Sequence, residues 1–332
     1  MSAVLSFLLV QLAEASDRPT ITFVMNVHDH THVDESADTV IRAAGIFRKY
    51  GVKGDFYLTG PITQAYVNER SDAVSALRDM GISYHVRAPH PLSDGFTGPL
   101  TVLRTKEQKV AVIKQYETYA QDMATGELKS GTLGGYTLVK NTFGRAPSCV
   151  GLGIGNQALK EAAMEVYGSL GAKCVITTHA SSSPKADPFT WYGSLLERPG
   201  DINITRMGER NDFWWNHIES DPTNYDPLPK MRDAMKSWTL GRIPYITSLI
   251  HENNFERSGP EGWTLSYYTD RSKKTIRQPA YPLTGVDVSK SRNRKDKDAI
   301  WAAYERWVQW ASANMRVATS EEIYGTALAA KN

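Results

Sequence analysis

The chain has 332 residues, a formal net charge of +2 at pH 7, 41% hydrophobic residues and 22% charged residues. This length accommodates one large α/β domain or two small ones, and the composition is that of an ordinary globular enzyme. The small net charge excludes a bulk electrostatic attraction to nucleic acid or to an anionic membrane, so neither is expected as a partner.

The first 15 residues are predicted to be a signal segment. Residues 3–12 are apolar but too short to span a bilayer, and Ala13-Glu14-Ala15 is typical of a signal-peptide cleavage site. No Lys or Arg precedes the apolar stretch, so a helix packed on the protein body is the alternative. We expect residues 16–332 to form a single domain that is periplasmic or secreted, with a cytoplasmic location as the alternative.

Strand and helix patterns alternate from residue 20 onward. Short apolar runs predict strands at residues 20–27, 53–59 and 82–85, and amphipathic runs closed by glycine predict helices at 34–51 and 72–80. This order predicts parallel strands with right-handed crossovers. Ligands in such folds bind at the carboxyl ends of the strands.

The later part of the chain is less regular. The remaining predicted elements are a helix over residues 106–123, a glycine-rich loop or hairpin over 131–142, a helix over 158–170, strands over 173–179 and 243–251, and a helix over 297–314. The last helix carries a Trp-rich stripe at helical spacing, which we interpret as a core face. Residues 100–143 and 184–226 are predicted to be inserts that cover the site.

Two histidine clusters follow predicted strands. His28 and Asp29 come after the first strand, and His85 and His90 come at and after the third. Imidazole nitrogen and carboxylate oxygen suit Zn²⁺, and three protein ligands leave one position open for water. The alternative is that these are loop residues that cap the strands. The clusters together favour a metal site.

Four stretches of the chain resemble motifs of the polysaccharide deacetylase (NodB-homology) superfamily. In chain order they are residues 51–60, residues 72–91 with a closing His90-Pro91, Arg145-Ala146-Pro147, and residues 246–251 with a closing His251. The resemblance spans about residues 20–323 and is that of a divergent member. It implies an α/β fold, specifically an irregular (β/α) barrel with parallel strands.

The resemblance also implies roles for individual residues. Asp29, His85 and His90 are implied as ligands of a divalent metal ion, most often zinc. Arg145 is implied to orient a catalytic carboxylate, and His251 is implied to protonate the leaving amine. The two ligand histidines are five residues apart, whereas the family commonly has them four apart.

The residue before the implied metal aspartate differs from the family pattern. The family usually has an aspartate there as the catalytic base, and this chain has His28. An imidazole can also accept a proton, so we expect His28 to be the base unless the base lies elsewhere.

Further residues are candidates for binding substrate. Trp214 and Trp215 belong to an aromatic run that forms either a sugar-stacking wall or the core of an insert, and His217 lies in the same run. Glu252 follows His251 and could bind or orient substrate. His30 and His32 are either ligands or hydrogen-bonding partners of Asp29, or exposed loop residues, whereas His179 is expected to be structural.

The sequence therefore predicts a metal-dependent hydrolase that removes an N- or O-acetyl group from a carbohydrate or a related amide. A catalytically silent glycan-binding module of the same fold is one alternative. A second alternative is another metallohydrolase, of the amidohydrolase or PHP type. It is suggested by Asp29-His30-Thr31-His32, which resembles the first-strand motif of those families.

Overall fold

The computed structural model describes residues 18–154, 156–176, 190–197, 222–224, 226, 228–229, 232, 245–259, 262–270, 275–284, 286 and 288–331. The predicted signal segment at 1–15, His179, most of the predicted insert at 184–226, Trp214, Trp215 and His217 lie outside the described residues.

The described strands alternate with helices along most of the chain. The strands are β1 (Thr20–Val27), β2 (Asp55–Leu58), β3 (Gly81–His85), β4 (Tyr119–Gln121), β5 (Leu128–Leu133), β6 (Cys149–Gly151), β7 (Cys174–Ile176), β8 (Thr190–Tyr192), β9 (Leu195–Glu197), β10 (Tyr245–His251), β11 (Arg257–Ser258), β12 (Tyr268–Asp270), β13 (Thr275–Ile276), β14 (Lys290–Ser291) and β15 (Arg316–Val317). The helices are α1 (Val33–Lys49), α2 (Gly60–Glu69), α3 (Ser71–Leu77), α4 (Gly98–Thr101), α5 (Lys106–Tyr116), α6 (Gly135–Phe143), α7 (Gln157–Leu170), α8 (Asn253–Glu256), α9 (Gly262–Leu265), α10 (Arg294–Asn314) and α11 (Ser320–Lys331).

The main sheet has the strand order β10-β1-β2-β3-β6-β7-β9-β8, and β15 also pairs with β1. Neighbouring strands are parallel except for the antiparallel β8–β9 pair. The sheet curls into a half-barrel with helices between successive strands. The predicted α/β fold with parallel strands is confirmed.

Strand β1 lies between β10 and β2, and the register of these pairs fixes the position of the site. Asn26 is opposite His251 in β10 and opposite Tyr57 in β2. Tyr57 is in turn opposite Ser83, two residues before His85. The residues that follow β1, β3 and β10 therefore meet at one edge of the sheet, as the strand order predicted.

The core on one side of the sheet is aromatic. Phe23 of β1 packs against Phe47 of α1 and against Tyr304 and Trp307 of α10, with ring centroids 5.7 to 6.3 Å apart. Trp301 on the same helix is 2% exposed. The Trp-rich stripe is therefore a core face, as predicted, and burying each such ring contributes about 1.5–3 kcal/mol.

The helix predicted over residues 106–123 ends earlier, at Tyr116. Residues Tyr119–Gln121 instead form β4, which pairs antiparallel with β5. Helical periodicity continues past residue 116, but pairing with a strand later in the chain overrides that local preference.

The glycine-rich segment at 131–142 was predicted to be a loop or hairpin. Its start belongs to β5, which pairs antiparallel with β4, and the rest is helix α6. A Cβ on Gly134 would lie 2.4 Å from Ala120 Cα, and Gly135 has φ +51° with a Cβ position 2.5 Å from the Tyr116 carbonyl oxygen. These two glycines allow two backbone segments to approach each other closely. The two glycines are therefore explained by this close backbone contact and do not indicate a loop.

Cys149 and Cys174 are opposite each other on β6 and β7, and both are buried. The described part of the chain contains no helix that is long and apolar enough to cross a membrane.

Candidate functional site

A cavity of about 340 Å³ opens at the carboxyl ends of β1, β2 and β3. This volume is in the range of small-molecule binding sites. Four imidazoles and one guanidinium line it, from His28, His30, His85, His90 and Arg87. The lining also includes five large aromatic residues: Tyr84, Tyr116, Tyr119, Trp263 and Tyr267. The cavity therefore joins titratable groups to an aromatic wall.

His28 is the residue on which several elements converge. Its ring centroid lies 4.2 Å from that of Trp263, 4.7 Å from that of His251 and 6.2 Å from that of His85. The residue is 1% exposed. Three imidazoles, from the ends of β1, β3 and β10, are thus brought together as the strand ends predicted.

Glu252 lies beneath this group and holds the end of β1. Its Oε1 accepts the backbone N–H groups of His28 and Asp29, each at 2.6 Å, and its Oε2 lies 3.6 Å from His28 Nε2. Burial, and then the negative charge of Asp29, raise the pKa of Glu252 to about 8, although the amide donors act in the opposite direction. Glu252 was predicted to bind or orient substrate. In the structure it is fully buried and its contacts orient protein backbone.

The Asp29 carboxylate is engaged by its own loop. Oδ1 accepts from the Thr31 backbone N–H at 3.1 Å and from the Thr31 hydroxyl, and Oδ2 lies 3.1 Å from His32 Nδ1. Burial raises the pKa of Asp29, but the hydrogen bonds from His32 and Thr31 outweigh that effect and hold it below its usual range. His32 is therefore a partner of Asp29, one of the roles left open by the sequence.

His30 lines the cavity next to Tyr267. Its Nδ1 lies 3.3 Å from the His28 carbonyl oxygen, and the Tyr267 hydroxyl lies 3.5 Å from its Nε2. Burial lowers the pKa of His30 by more than the nearby Asp29 carboxylate raises it.

His90 contacts a buried carboxylate behind the cavity wall. Its Nδ1 accepts the Leu92 backbone N–H at 3.1 Å, and its Nε2 lies 3.0 Å from Glu117 Oε1. Glu117 is 0% exposed, and its Oε2 accepts the Tyr136 backbone N–H at 2.7 Å. The Tyr167 hydroxyl donates to Oε1.

These contacts do not fit the predicted metal site. A metal-bound histidine normally donates its other ring N–H to an acceptor, whereas the second nitrogen of His90 accepts. Among the residues that the structure describes, no group of three or more His, Cys, Asp or Glu side chains is arranged to hold a metal ion. Asp29, His85 and His90 are therefore not brought together as the ligands of one ion.

Arg145 lies far from the cavity along the sheet. Its Nη2 donates to the carbonyl of Met80, directly before β3, and so it lies at the amino-terminal edge of the strands. The structure does not bring it to the site at the carboxyl edge. His251 does lie at that edge, where its ring is approximately perpendicular to that of His28, at 81°.

Sequence reasoning missed two charged residues at the site. Arg87 lines the cavity beside Trp263, with its guanidinium carbon 5.9 Å from the ring centroid. It lies between His85 and His90, so its position in that run was an available signal. Glu117 carries no local signal, because its partners come from α6, α7 and the loop after β3.

No family model and no curated protein matches the chain. The structure is similar to one described as "putative polysaccharide deacetylase from Mycobacterium smegmatis", with a TM-score of 0.53 and 11% identity over 95% of this chain and 92% of that one. It is less similar to a "probable Polysaccharide deacetylase from Pseudomonas aeruginosa PAO1", with a TM-score of 0.48 and 12% identity over 94% and 91% of the two chains. An allantoinase, Puue, matches with a TM-score of 0.46 and 10% identity over 91% and 87%. At such identities the likeness concerns the fold, and the chain is a divergent example of the polysaccharide deacetylase fold.

Proposed function

We propose that the chain is a hydrolase that removes an N- or O-linked acyl group from a carbohydrate or a related amide. The observation that carries the proposal is the cavity at the carboxyl ends of the strands, where imidazoles from β1 and β3 face an aromatic wall. The fold, shared with a structure described as a polysaccharide deacetylase, supports the same reaction class.

Hydrolysis of an amide or ester needs a base for water and an acid for the leaving group. His28 is suited to be the base because its ring packs on Trp263 and its backbone is held by Glu252. A positioned imidazole typically contributes about 10²–10⁴-fold to such a step. His251 is next to His28 and is suited to protonate the leaving group with a proton of its own.

Arg87 supplies positive charge at the same cavity. The tetrahedral intermediate of acyl transfer develops negative charge on the former carbonyl oxygen, and a fixed cation stabilises it. The ring of Trp263 lies beside both Arg87 and His28, so it limits the movement of the two groups. We therefore assign oxyanion stabilisation to Arg87.

The lining of the cavity suits a sugar. Helix α2 contributes Gln64, Asn68 and Glu69, whose amide and carboxylate groups can bind hydroxyls. Tyr116 and Tyr119 also line the cavity and can offer ring faces to the apolar face of a sugar. This combination of groups supports a carbohydrate substrate.

Zinc was expected from the sequence, but the contacts of Asp29 and His90 do not fit the predicted three-ligand site. The same contacts favour a second candidate function, a glycan-binding module without catalysis.

Acyl release from a panel of substrates tests the proposal. The panel contains 4-nitrophenyl acetate, N-acetylglucosamine oligomers, O-acetylated xylo-oligosaccharides and small cyclic amides, each assayed with EDTA and with added zinc. We expect turnover of at least one acetylated sugar and a loss of about 100-fold or more in His28→Phe. Tyr192→Phe, a change on β8 away from the cavity, is the matched control.

The outcomes separate the two candidates. Turnover that depends on His28 supports the hydrolase. Saturable binding of oligosaccharides with no acyl release, with or without zinc, supports the binding module. If the protein shows no turnover and no binding, both candidates are refuted.

A further inference from the structure

Gly151, the last residue of β6, is the neighbour of His85 across the sheet. The two residues are opposite each other in the parallel pair of β3 and β6, and the Val86 backbone N–H donates to the Gly151 carbonyl oxygen at 3.0 Å. His85 is 5% exposed and lines the cavity. We infer that Gly151 is a positioning residue, because the absence of a side chain at this position lets the His85 ring lie against β6 and sets its place in the cavity.

The first step is the space that a side chain at position 151 would need. A Cβ on Gly151 would lie 2.6 Å from His85 Nδ1 and 3.3 Å from His85 Cε1. Non-bonded heavy atoms pack best at about 3.5–4.0 Å, so the first of these distances is a clash. The nearest atom of Tyr57, Cδ1, would lie 3.4 Å away, which is an ordinary contact. The His85 ring is therefore the group that occupies the place of the missing side chain.

The second step is that backbone conformation does not explain this glycine. Gly151 does not have a positive φ, so an alanine can adopt the same backbone conformation. Its strand is paired on both sides, with Gly151 opposite His85 in β3 and opposite Ile176 in β7. The backbone therefore cannot move away from an added Cβ without disturbing the sheet, and the His85 ring has to move instead.

The third step is the direction of that movement. In the sheet, β6 lies on one side of β3, and β2 and β1 lie on the other side. A ring that is pushed away from β6 moves toward the strands that carry His28. The rings of His28 and His85 are nearly parallel, at 28°, and their centroids are 6.2 Å apart. Gly151 thus maintains the separation of the two imidazoles and, with it, the space between them.

Two alanine variants form a matched pair for the test. Gly153 is two residues after Gly151, does not have a positive φ, and has nothing within 4 Å of the place of its Cβ. The ¹H–¹³C ring signals of His85 report its surroundings, and His85→Gln identifies these signals by removing them. We expect the His85 signals to shift in Gly151→Ala and to stay unchanged in the control Gly153→Ala. Unchanged His85 signals in Gly151→Ala would overturn the inference.

A second background separates contact with the ring from a general effect on β6. In His85→Ala the ring is gone, so a Cβ at position 151 has room. We expect Gly151→Ala to lower the urea midpoint of unfolding by about 0.5 M or more in the wild-type background and to leave it unchanged in His85→Ala. If Gly151→Ala fails to fold alone, it should fold together with His85→Ala. Equal losses in both backgrounds, or failure to fold in both, would show that the glycine serves the backbone and would refute the inference.

Turnover gives a readout that a purely structural role would not change, and this part of the inference rests on the proposed function. In the assay of acyl release, Gly151→Ala should lose about tenfold or more in kcat/KM, because an imidazole at the cavity is displaced relative to the substrate. Gly153→Ala should stay within about twofold of the wild type, and adding Gly151→Ala to His85→Ala should cause no further loss. A folded Gly151→Ala variant with the kcat/KM of the wild type would contradict the inference.

The failure of the proposed function can be told apart from the failure of this inference. If the wild type releases no acyl group from any substrate, the proposed hydrolase is refuted. The ring signals of His85 and the urea midpoints in the two backgrounds then decide the role of Gly151 without any catalytic assay.

Discussion

Replacing Glu252 with Gln should change how the stability of the protein depends on pH. Glu252 is fully buried, and its Oε1 accepts two backbone N–H groups at 2.6 Å. An amide carbonyl can accept the same two hydrogen bonds, and an amide cannot ionise. The two proteins therefore differ mainly in whether the buried group can become charged.

The sign and the size follow from the raised pKa. Burial raises the pKa of Glu252 from its usual 4.5 to about 8, so the folded state holds a proton that the unfolded state releases. A raised carboxyl pKa contributes stability that is present below pH 4.5 and is lost as the pH rises through about 8. At about 1.4 kcal/mol per pH unit, the wild type should lose about 5 kcal/mol over that interval relative to the variant.

Urea unfolding followed by tryptophan fluorescence, from pH 4.5 to pH 9, measures this difference. We expect the free energies of unfolding of wild type and Glu252→Gln to agree within about 1 kcal/mol at pH 4.5 and to diverge above it. Glu127→Gln changes an exposed site, so its free energy of unfolding should depend on pH in the same way as that of the wild type. A constant difference between wild type and Glu252→Gln would show that Glu252 is already ionised, and would refute the reasoning.

Three further changes should alter the free energy of unfolding, each measured by urea denaturation. Glu117→Gln should cost about 3 kcal/mol, because one of the two buried oxygens that accept from the Tyr136 N–H and the Tyr167 hydroxyl would become an NH₂ group. Gly134→Ala should cost about 1–3 kcal/mol, because its Cβ would lie 2.4 Å from backbone, whereas Gly98→Ala, with nothing within 4 Å, should cost less than about 0.5 kcal/mol. Asn156→Ala should cost about 1 kcal/mol, because its side chain caps α7 by accepting two backbone N–H groups.

Controls distinguish these mechanisms from a general loss of packing. The costs of Glu117→Gln and His90→Phe should not add in the double variant, and simple additivity would contradict a direct contact between the two side chains. Equal costs for Gly134→Ala and Gly98→Ala would show that close backbone approach is not the reason for the glycine. Gln157→Ala, beside the cap, should leave stability nearly unchanged.

The edge of the sheet that carries the site was predictable from the sequence. The strands that end near His28, His85 and His251 are short apolar runs, and parallel strands place their carboxyl ends together. Local pattern was sufficient here because both the strand periodicity and the polar residue at each strand end are visible within about ten residues.

The contacts of those residues were not predictable, because they depend on partners far along the chain. His90 has the family spacing of a ligand within one residue, yet its Nδ1 accepts from the Leu92 backbone N–H and its Nε2 lies 3.0 Å from Glu117. Arg145 matches a motif, but the start of β3 holds it at the opposite edge of the sheet. The spacing of a motif gives the positions of its residues along the chain. It does not predict which atoms each side chain contacts in the folded protein.

The hydrogen bonds that Glu252 accepts from the backbone N–H groups of His28 and Asp29 join positions 224 and 223 residues apart. During synthesis the ribosome releases β1 long before it releases β10 and the carboxylate that secures the end of β1. A nascent chain can therefore contain the histidines at the ends of β1 and β3 and still lack the Glu252 carboxylate that positions His28. The cavity is completed only after β10 has emerged, because Trp263 and Tyr267, which also line it, follow that strand. Its assembly is therefore a late event in the life of each new molecule.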